Sequence, residues 1–311
     1  MTTATPHLLI EVDGRPATEA DLRLRALDTY GHFTAMQIRD GRARGMDLHV
    51  ARLDGATREL FGTGLDGERV RAALRHALEG VRDASARVYV HWHPGPDAAS
   101  TADADAEDTA STADTASTTD AASTADTTDT PNTTGSRPRI GAGTGGGTTL
   151  MVTVRPPVAP DGSAKRLMSV PYQRPVPHLK HLGGFAQIHY GRLAERAGFD
   201  DALLTGPGGV VAESAVANIA FWDGGSLVWP DSPVLTGITM ALLEPRLLAA
   251  GLPSVRRRVT LADLPRYRAA FLTNSHGVAP VAGIDETVFP GDAALLKTVT
   301  ELYEGVEWDR V

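Results

Sequence analysis

The chain has 311 residues, 42% of them hydrophobic and none of them cysteine. That length and apolar content suffice for two globular domains, and the absence of cysteine excludes disulfide and thiolate chemistry while leaving the redox compartment open. The formal net charge of −8 is unevenly placed: nine of the 38 acidic residues lie between positions 97 and 136, where there is no Lys or Arg, so the remainder carries 30 basic against 29 acidic side chains. A nearly neutral body is not the footprint of a nucleic-acid-binding protein. The chain also has no apolar run of about 18 residues and no basic-plus-apolar leader in Met1-Thr2-Thr3-Ala4-Thr5-Pro6, so neither a nucleic acid nor a membrane is expected as partner and the expected location is cytoplasmic.

In chain order, residues 8–12 and 33–38 read as strands, with Asp13-Gly14 as a turn closing the first of them. Apolar spacing at Leu48, Leu53 and Leu60 predicts an amphipathic helix over 48–61, and Val70, Leu74 and Leu78 predict a second over 70–81. Residues 86–92 and 150–154 look like neighbouring antiparallel strands. Between them, positions 97–148 are built from Ala, Asp, Ser and Thr and end in a glycine-rich run, with Asp108, Asp114, Asp120 and Asp126 at a six-residue period. Such a stretch cannot bury enough apolar surface to offset its ordering entropy and is expected to be a disordered insert. Closing a loop of ~50 residues rather than ~6 costs roughly 2 kcal/mol, which a sheet tolerates.

The proline- and glycine-containing stretch 157–166 is a natural linker, dividing an α+β domain (1–156) from a second one (167–311). In the second, a helix is expected over 185–197, hairpins around Gly206-Pro207-Gly208-Gly209 and Asp223-Gly224-Gly225, and a strand over 271–273. A helix over 239–250 should be kinked or split by Pro245, and another over 293–303 closes the chain.

The chemistry-bearing residues fall in one order. Lys180 stands in His178-Leu179-Lys180-His181, Glu213 comes 33 positions later, and Leu235-Thr236-Gly237-Ile238-Thr239 opens an apolar helical run. An amine, a carboxylate and a helix N-terminus are the parts needed to hold pyridoxal 5'-phosphate: the amine to join its aldehyde, the carboxylate to face its ring nitrogen, the free N–H groups to cradle its phosphate. Thr236 is placed to cap that helix, with Gly237 allowing close approach and the N–H groups of Gly237, Ile238 and Thr239 free for the phosphate. Asn218 is expected to orient the neighbouring loop. His91 with His93, and His178 with His181, lack the third ligand or carboxylates of a metal site, so no metal is expected.

The wording around these residues resembles the class IV aminotransferases, the fold type IV pyridoxal-phosphate enzymes. The motifs are Gly198-Phe199-Asp200-Asp201-Ala202-Leu203, Glu213 through Asn218-Ile219, Leu235-Thr236-Gly237-Ile238-Thr239, Gly31-His32-Phe33-Thr34-Ala35 and His49-Val50-Ala51-Arg52-Leu53. Phe271-Leu272-Thr273-Asn274-Ser275 through Pro280-Val281 is similar to a further strand of the family. The resemblance implies a two-domain α+β fold of the D-amino acid aminotransferase type, Lys180 as the Schiff-base residue, and Arg52 and Ser275 as further phosphate ligands. It also implies a homodimer acting on amino acids and 2-oxo acids. The family's polar residues shortly after the lysine are replaced here by Gly183-Gly184-Phe185, and no arginine pair for a substrate carboxylate is legible. Three functions stay open: a transaminase, a lyase like aminodeoxychorismate lyase that releases pyruvate, and a non-catalytic binding protein.

Overall fold

The structure is a computed structural model that describes residues 8–93, 146–160 and 162–311. It divides into a large unit of residues 1–91 with 150–311 and a small one of residues 92–149. Most of the expected insert lies outside the described residues. Of the small unit, residues 92–93 end one strand and residues 147–149 begin another, which starts three positions earlier than expected.

In the first part of the large unit, β1 (Leu9–Val12), β2 (Arg15–Pro16), α1 (Glu19–Leu27), β3 (Gly31–Ile38), β4 (Arg42–Ala43), α2 (Met46–Phe61), α3 (Gly67–Ala77), β5 (Ala84–His93) and β6 (Gly147–Arg155) come in succession. Five of the strands form a sheet in the order β2-β1-β6-β5-β3. β3 shows why the site lies where it does. Its side chains alternate, burying His32, Thr34, Met36 and Ile38 while Phe33, Ala35 and Gln37 stay half-buried on the other face. α2 packs on this strand through His49, Leu53 and Thr57: Thr34 Oγ1 meets His49 Nδ1 at 2.6 Å and His32 Nε2 meets Thr57 Oγ1 at 3.0 Å.

The rest of the unit holds β7 (Lys165–Pro171), α4 (Phe185–Arg196), β8 (Asp201–Gly206), β9 (Val210–Ser214), β10 (Asn218–Trp222), β11 (Leu227–Pro230), α5 (Ile238–Ala249), β12 (Ser254–Arg257), β13 (Ala269–Asn274), β14 (Gly277–Ile284), β15 (Thr287–Val288), α6 (Ala293–Glu304) and β16 (Asp309–Arg310). A nine-stranded sheet runs β12-β11-β10-β13-β14-β7-β8-β9, with β15 beside β14. Its strands β9 and β10 are buried nearly throughout, as expected of a sheet covered on both faces. On one face Leu203, Ile219, Phe221, Val228 and Ile284 form a core; on the other, α5 and α6 bury Met240, Leu243, Leu247, Leu295 and Val299 against Trp229 and Phe271.

Of the two outcomes expected at Pro245, a kink or a split, the split does not occur: α5 continues through it. A proline removes a single N–H bond and crowds one carbonyl, whereas Met240, Leu243 and Leu247 on either side are anchored in the core. Elements that carry no strong periodicity, among them α1, β2, β7, β12, β15 and the pair β4–β16, were not anticipated. No helix among the described residues is long and apolar enough to cross a membrane.

Candidate active site

A cavity of about 520 Å³ is lined by Phe33 of β3, His49 and Arg52 of α2, Lys180, Glu213 at the end of β9, the start of α5, and Thr273 and Ser275 around the β13–β14 turn. All the expected site residues except Thr236 line it. A neighbouring cavity of about 770 Å³ shares Gln187, Ile188, Val216 and His276, among others, with it but is lined by neither Lys180 nor Glu213. The chemistry therefore belongs to the smaller space.

Lys180 reaches the cavity because its loop is laid along the free edge of β3. Phe33 N donates to Lys180 O at 2.9 Å, Leu182 N donates to Gly31 O at 2.9 Å, and His32 pairs with His181 as an isolated bridge. Gly31 permits this approach, since a Cβ there would stand 2.7 Å from Val90 O and 2.9 Å from Leu182 Cδ1. The amine lies 4.9 Å from the Phe33 ring centroid. Burial, reinforced by Arg52, Arg174 and Arg87 and opposed by Glu213, lowers its pKa to about 8 from a usual 10.5. An attacking amine must be neutral, and this shift leaves about a tenth of it neutral at pH 7 and about half near pH 8.

Glu213 is buried, and so is its partner Arg174, whose Nη1 donates to Glu213 Oε1 at 3.0 Å. The other carboxylate oxygen faces Leu235 N at 3.4 Å. Burial raises the Glu213 pKa and Arg174 pulls it back. Arg174 also donates to Pro177 O (3.1 Å) and Leu179 O (2.6 Å), which ties the lysine loop to the carboxylate.

At the opposite end, Arg52 Nη2 donates to Thr236 O at 2.5 Å, which brings α2 to the start of α5. Two details differ from expectation. The residue that caps α5 is Gly237, not Thr236, whose side chain is exposed and makes no cap bond. The Gly237 N–H is also taken, donating to Asn218 Oδ1 at 2.9 Å, while Asn218 Nδ2 donates to Leu235 O at 2.6 Å. Asn218 thus holds the loop. A Cβ on Gly237 would stand 2.2 Å from Asn218 Oδ1. The first intrahelical bond runs from Ala241 N to Gly237 O, so the N–H groups of Ile238, Thr239 and Met240 have no acceptor within the helix. Thr239 Oγ1 donates to Asn274 O at 2.6 Å and so fixes the turn that carries Ser275.

Three residues were missed by sequence reasoning. Arg174 has no motif to mark it. His49 lies one helical turn before Arg52; burial, then Arg52 and Lys180, push its pKa down to about 3, so its ring is neutral. Thr273 Oγ1 is buried without a hydrogen-bond partner. The Gly183-Gly184-Phe185 departure leaves its mark: Phe185 is 80% exposed, and Tyr190 packs on Tyr172 with ring centroids 5.4 Å apart, so neither lines the cavity. Among the described residues no group of three or more His, Asp or Glu could hold a metal ion.

The donor set suits a phosphate-bearing aldehyde with a ring nitrogen. Cations outnumber Glu213, an amine has a lowered pKa, helix N–H groups are free of internal acceptors, and a buried hydroxyl lacks a partner. The sequence profile of the family described as amino-transferase class IV matches residues 31–141 and 119–284. The chain belongs to the class IV aminotransferases. These enzymes use pyridoxal phosphate, as transaminases or lyases.

Among solved structures, 4-amino-4-deoxychorismate lyase from Pseudomonas aeruginosa is 25% identical, with 94% of this chain and 97% of that one covered and a TM-score of 0.70. The branched-chain amino acid aminotransferase of Escherichia coli is 16% identical, with 96% and 94% covered and a TM-score of 0.71. A hypothetical aminotransferase from Mycobacterium tuberculosis in a pyridoxal-phosphate-bound form is 19% identical, with 96% and 98% covered and a TM-score of 0.69. The latter two likenesses speak to the fold alone. No curated protein matches the chain.

Proposed function

We propose that this class IV aminotransferase transfers an amino group between an amino acid and a 2-oxo acid, with Lys180 as the residue that holds pyridoxal phosphate. The observation that carries this is the convergence of Lys180, Glu213, Arg52 and the start of α5 on one cavity. When bound, the cofactor supplies an aldehyde for the amine and a ring that accepts the electron pair released at the substrate's α-carbon. Arg52, the N–H groups of Ile238 and Thr239, and the Ser275 and Thr273 hydroxyls would hold its phosphate; Gly237 and Thr236 shape that end through backbone alone.

The residues divide the work by charge. The Lys180 amine, neutral in good part near pH 8, can take a proton from the substrate carbon and return it. Glu213, kept in place by Arg174, would hold a proton on the ring nitrogen. Phe33, Met36 and Leu182 line the same cavity with apolar surface and exclude water.

A lyase releasing pyruvate is the second reading, favoured by the 25% identity to an aminodeoxychorismate lyase. We further propose that the two sheets correspond to domains 1–156 and 167–311, and that a second copy covers the exposed apolar side chains Phe185, Ile188 and Val216, the last two of which line the cavity. The test uses the purified protein with added cofactor. A visible absorbance band that changes with amino donors, and amino transfer to 2-oxoglutarate, support the transaminase; pyruvate release from aminodeoxychorismate without transfer supports the lyase. A cofactor-loaded protein that does neither contradicts both.

A further inference from the structure

Three helices begin with a side-chain cap of their own: Thr18 on α1, Asp66 on α3 and Asp292 on α6. α2, which brings His49 and Arg52 to the cavity, has none. Its N-cap is Gly45, left-handed at φ 69° and without a side-chain bond. The first N–H of the helix, on Met46, donates instead to Asp309 Oδ2 at 2.8 Å, across 263 positions of chain. Asp309 is held in place by its neighbours. β16 pairs with β4, which sets Asp309 opposite Ala43. Arg44 donates to Val306 O at 3.1 Å and to Glu304 O at 2.8 Å, and its guanidinium lies over the rings of Tyr303 (4.7 Å) and Trp308 (4.2 Å). Arg71 of α3 donates to Arg310 O at 3.2 Å, and Val306 and Val311 are buried. Residues 304–311 thus run from the end of α6 across the start of α2.

That start is packed directly on α5. A Cβ on Gly45 would stand 3.1 Å from Leu242 Cδ1 and 3.2 Å from Ile238 Cγ2. About two turns further along α2, Arg52 donates to Thr236 O, just before α5 begins. The two helices therefore meet at two places, and Asp309 fixes one of them. We propose that Asp309 is a positioning residue for the phosphate end of the site: by capping α2 it sets the Arg52 guanidinium against the free N–H groups of α5. The assignment rests on the reading of Arg52 and α5 as the phosphate cradle. A carboxylate on the first N–H of a helix satisfies an orphan donor and meets the positive end of the helix dipole. Without it the first turn frays, and an arginine on a looser helix must be ordered at the moment of binding. Asp309 is exposed and does not line the cavity, so its effect on a bound phosphate is indirect. Its charge by itself would repel a phosphate, so loss of the charge favours binding and loss of the cap opposes it. The sign of the effect separates the two.

The experiment is equilibrium titration of the full chain, freed of cofactor, with pyridoxal phosphate and with pyridoxal, followed by absorbance. Both ligands use the same amine, so the ratio of their affinities reads the phosphate end alone. Asp309→Ala should lower that ratio about three- to tenfold, as for a lost helix cap, with pyridoxal affinity within about twofold of wild type. Asp309→Asn keeps an acceptor and should retain the ratio. Arg52→Gln should lower it further, and adding Asp309→Ala to Arg52→Gln should change nothing more, since the one acts through the other. An unchanged or raised ratio in Asp309→Ala, an equal loss in Asp309→Asn, or losses that multiply in the double variant would overturn the assignment. If Arg52→Gln also leaves the ratio unchanged, the phosphate reading itself falls; if only Asp309→Ala does, Asp309 alone is refuted. A second measurement needs no variant. Linkage requires that the phosphate strengthen the cap as the cap strengthens phosphate binding. Pyridoxal phosphate should therefore slow hydrogen exchange of the Met46 amide in wild type more than pyridoxal does, and equal protection by the two would contradict the proposal.

Discussion

Arg174 and Glu213 form a buried ion pair, Nη1 to Oε1 at 3.0 Å, and the same guanidinium holds the carbonyls of Pro177 and Leu179 next to Lys180. One side chain thus spaces the carboxylate from the amine. Removing one member of a buried pair strands the other charge, which costs about 3–5 kcal/mol. Arg174→Met is therefore expected to lose stability on that scale in urea denaturation of the apoprotein, and Arg174→Met with Glu213→Gln to lose clearly less than the sum of the single changes. Additive losses would mean that the two side chains do not act as a pair.

The Lys180 pKa of about 8 makes a prediction about rate. The neutral amine attacks, so capture of pyridoxal by the apoprotein should speed up as pH rises through about 8 and then level off. Arg52→Gln removes a cation that lowers this pKa, and the midpoint should move to higher pH. Pyridoxal lacks the phosphate that Arg52 is proposed to bind, so stopped-flow absorbance reads the amine alone. An unmoved or lowered midpoint would show that the Arg52 charge does not act on Lys180.

Much of this site is legible in the sequence, for a physical reason. Lys180, Glu213 and the Leu235–Thr239 run are local words in which neighbouring residues share a task, and Arg52 stands on a helix with a clear apolar stripe. Arg174 had no such mark, because its meaning comes from a partner 39 positions away. Arg87 reads as a surface residue until the β3–β5 register sets it beside the cavity. Thr236 failed as a cap because the helix starts one residue later than expected: Gly237 is its N-cap, held by Asn218 from β10, and Thr236 stands outside it with an exposed side chain. In the fold, the long periodic helices α2 and α6 were anticipated almost to their ends, whereas β4 and β16 exist only because two distant segments pair.

Gly237 is predicted to be intolerant of any side chain. A Cβ would stand 2.2 Å from Asn218 Oδ1, so Gly237→Ala must displace Asn218 and with it the loop from Leu235 to Gly237. A destabilisation of about 1–3 kcal/mol is expected, as for overpacking of a well-filled site. In the double variant with Asn218→Ala, the clash is absent, and thermal denaturation should show less loss than the two single changes added. Full additivity would place the clash elsewhere.

Acid sensitivity arises from three buried imidazoles. Burial, the first cause in each case, lowers His32 and His91 to about 4 and His49 to about 3, from 6.5. An unfolded chain binds protons at these rings below pH 6.5 while the folded chain does not. Their contribution is thus complete above pH 6.5 and falls as pH drops toward 4, by up to about 3 kcal/mol per ring. Both nitrogens of His91 lack partners, so His91→Leu should flatten part of the fall in melting temperature between pH 7 and pH 5. A profile equally steep in that variant would assign the acid sensitivity to other groups.

The most direct measurement is peptide mass spectrometry of the protein loaded with pyridoxal phosphate and reduced with borohydride. Lys180 should carry the reduced cofactor adduct, and Lys180→Ala should lose both the adduct and the visible band while remaining folded. An adduct on Lys165 or Lys297, or none on a protein that binds the cofactor, would contradict the assignment of Lys180 and the site built around it.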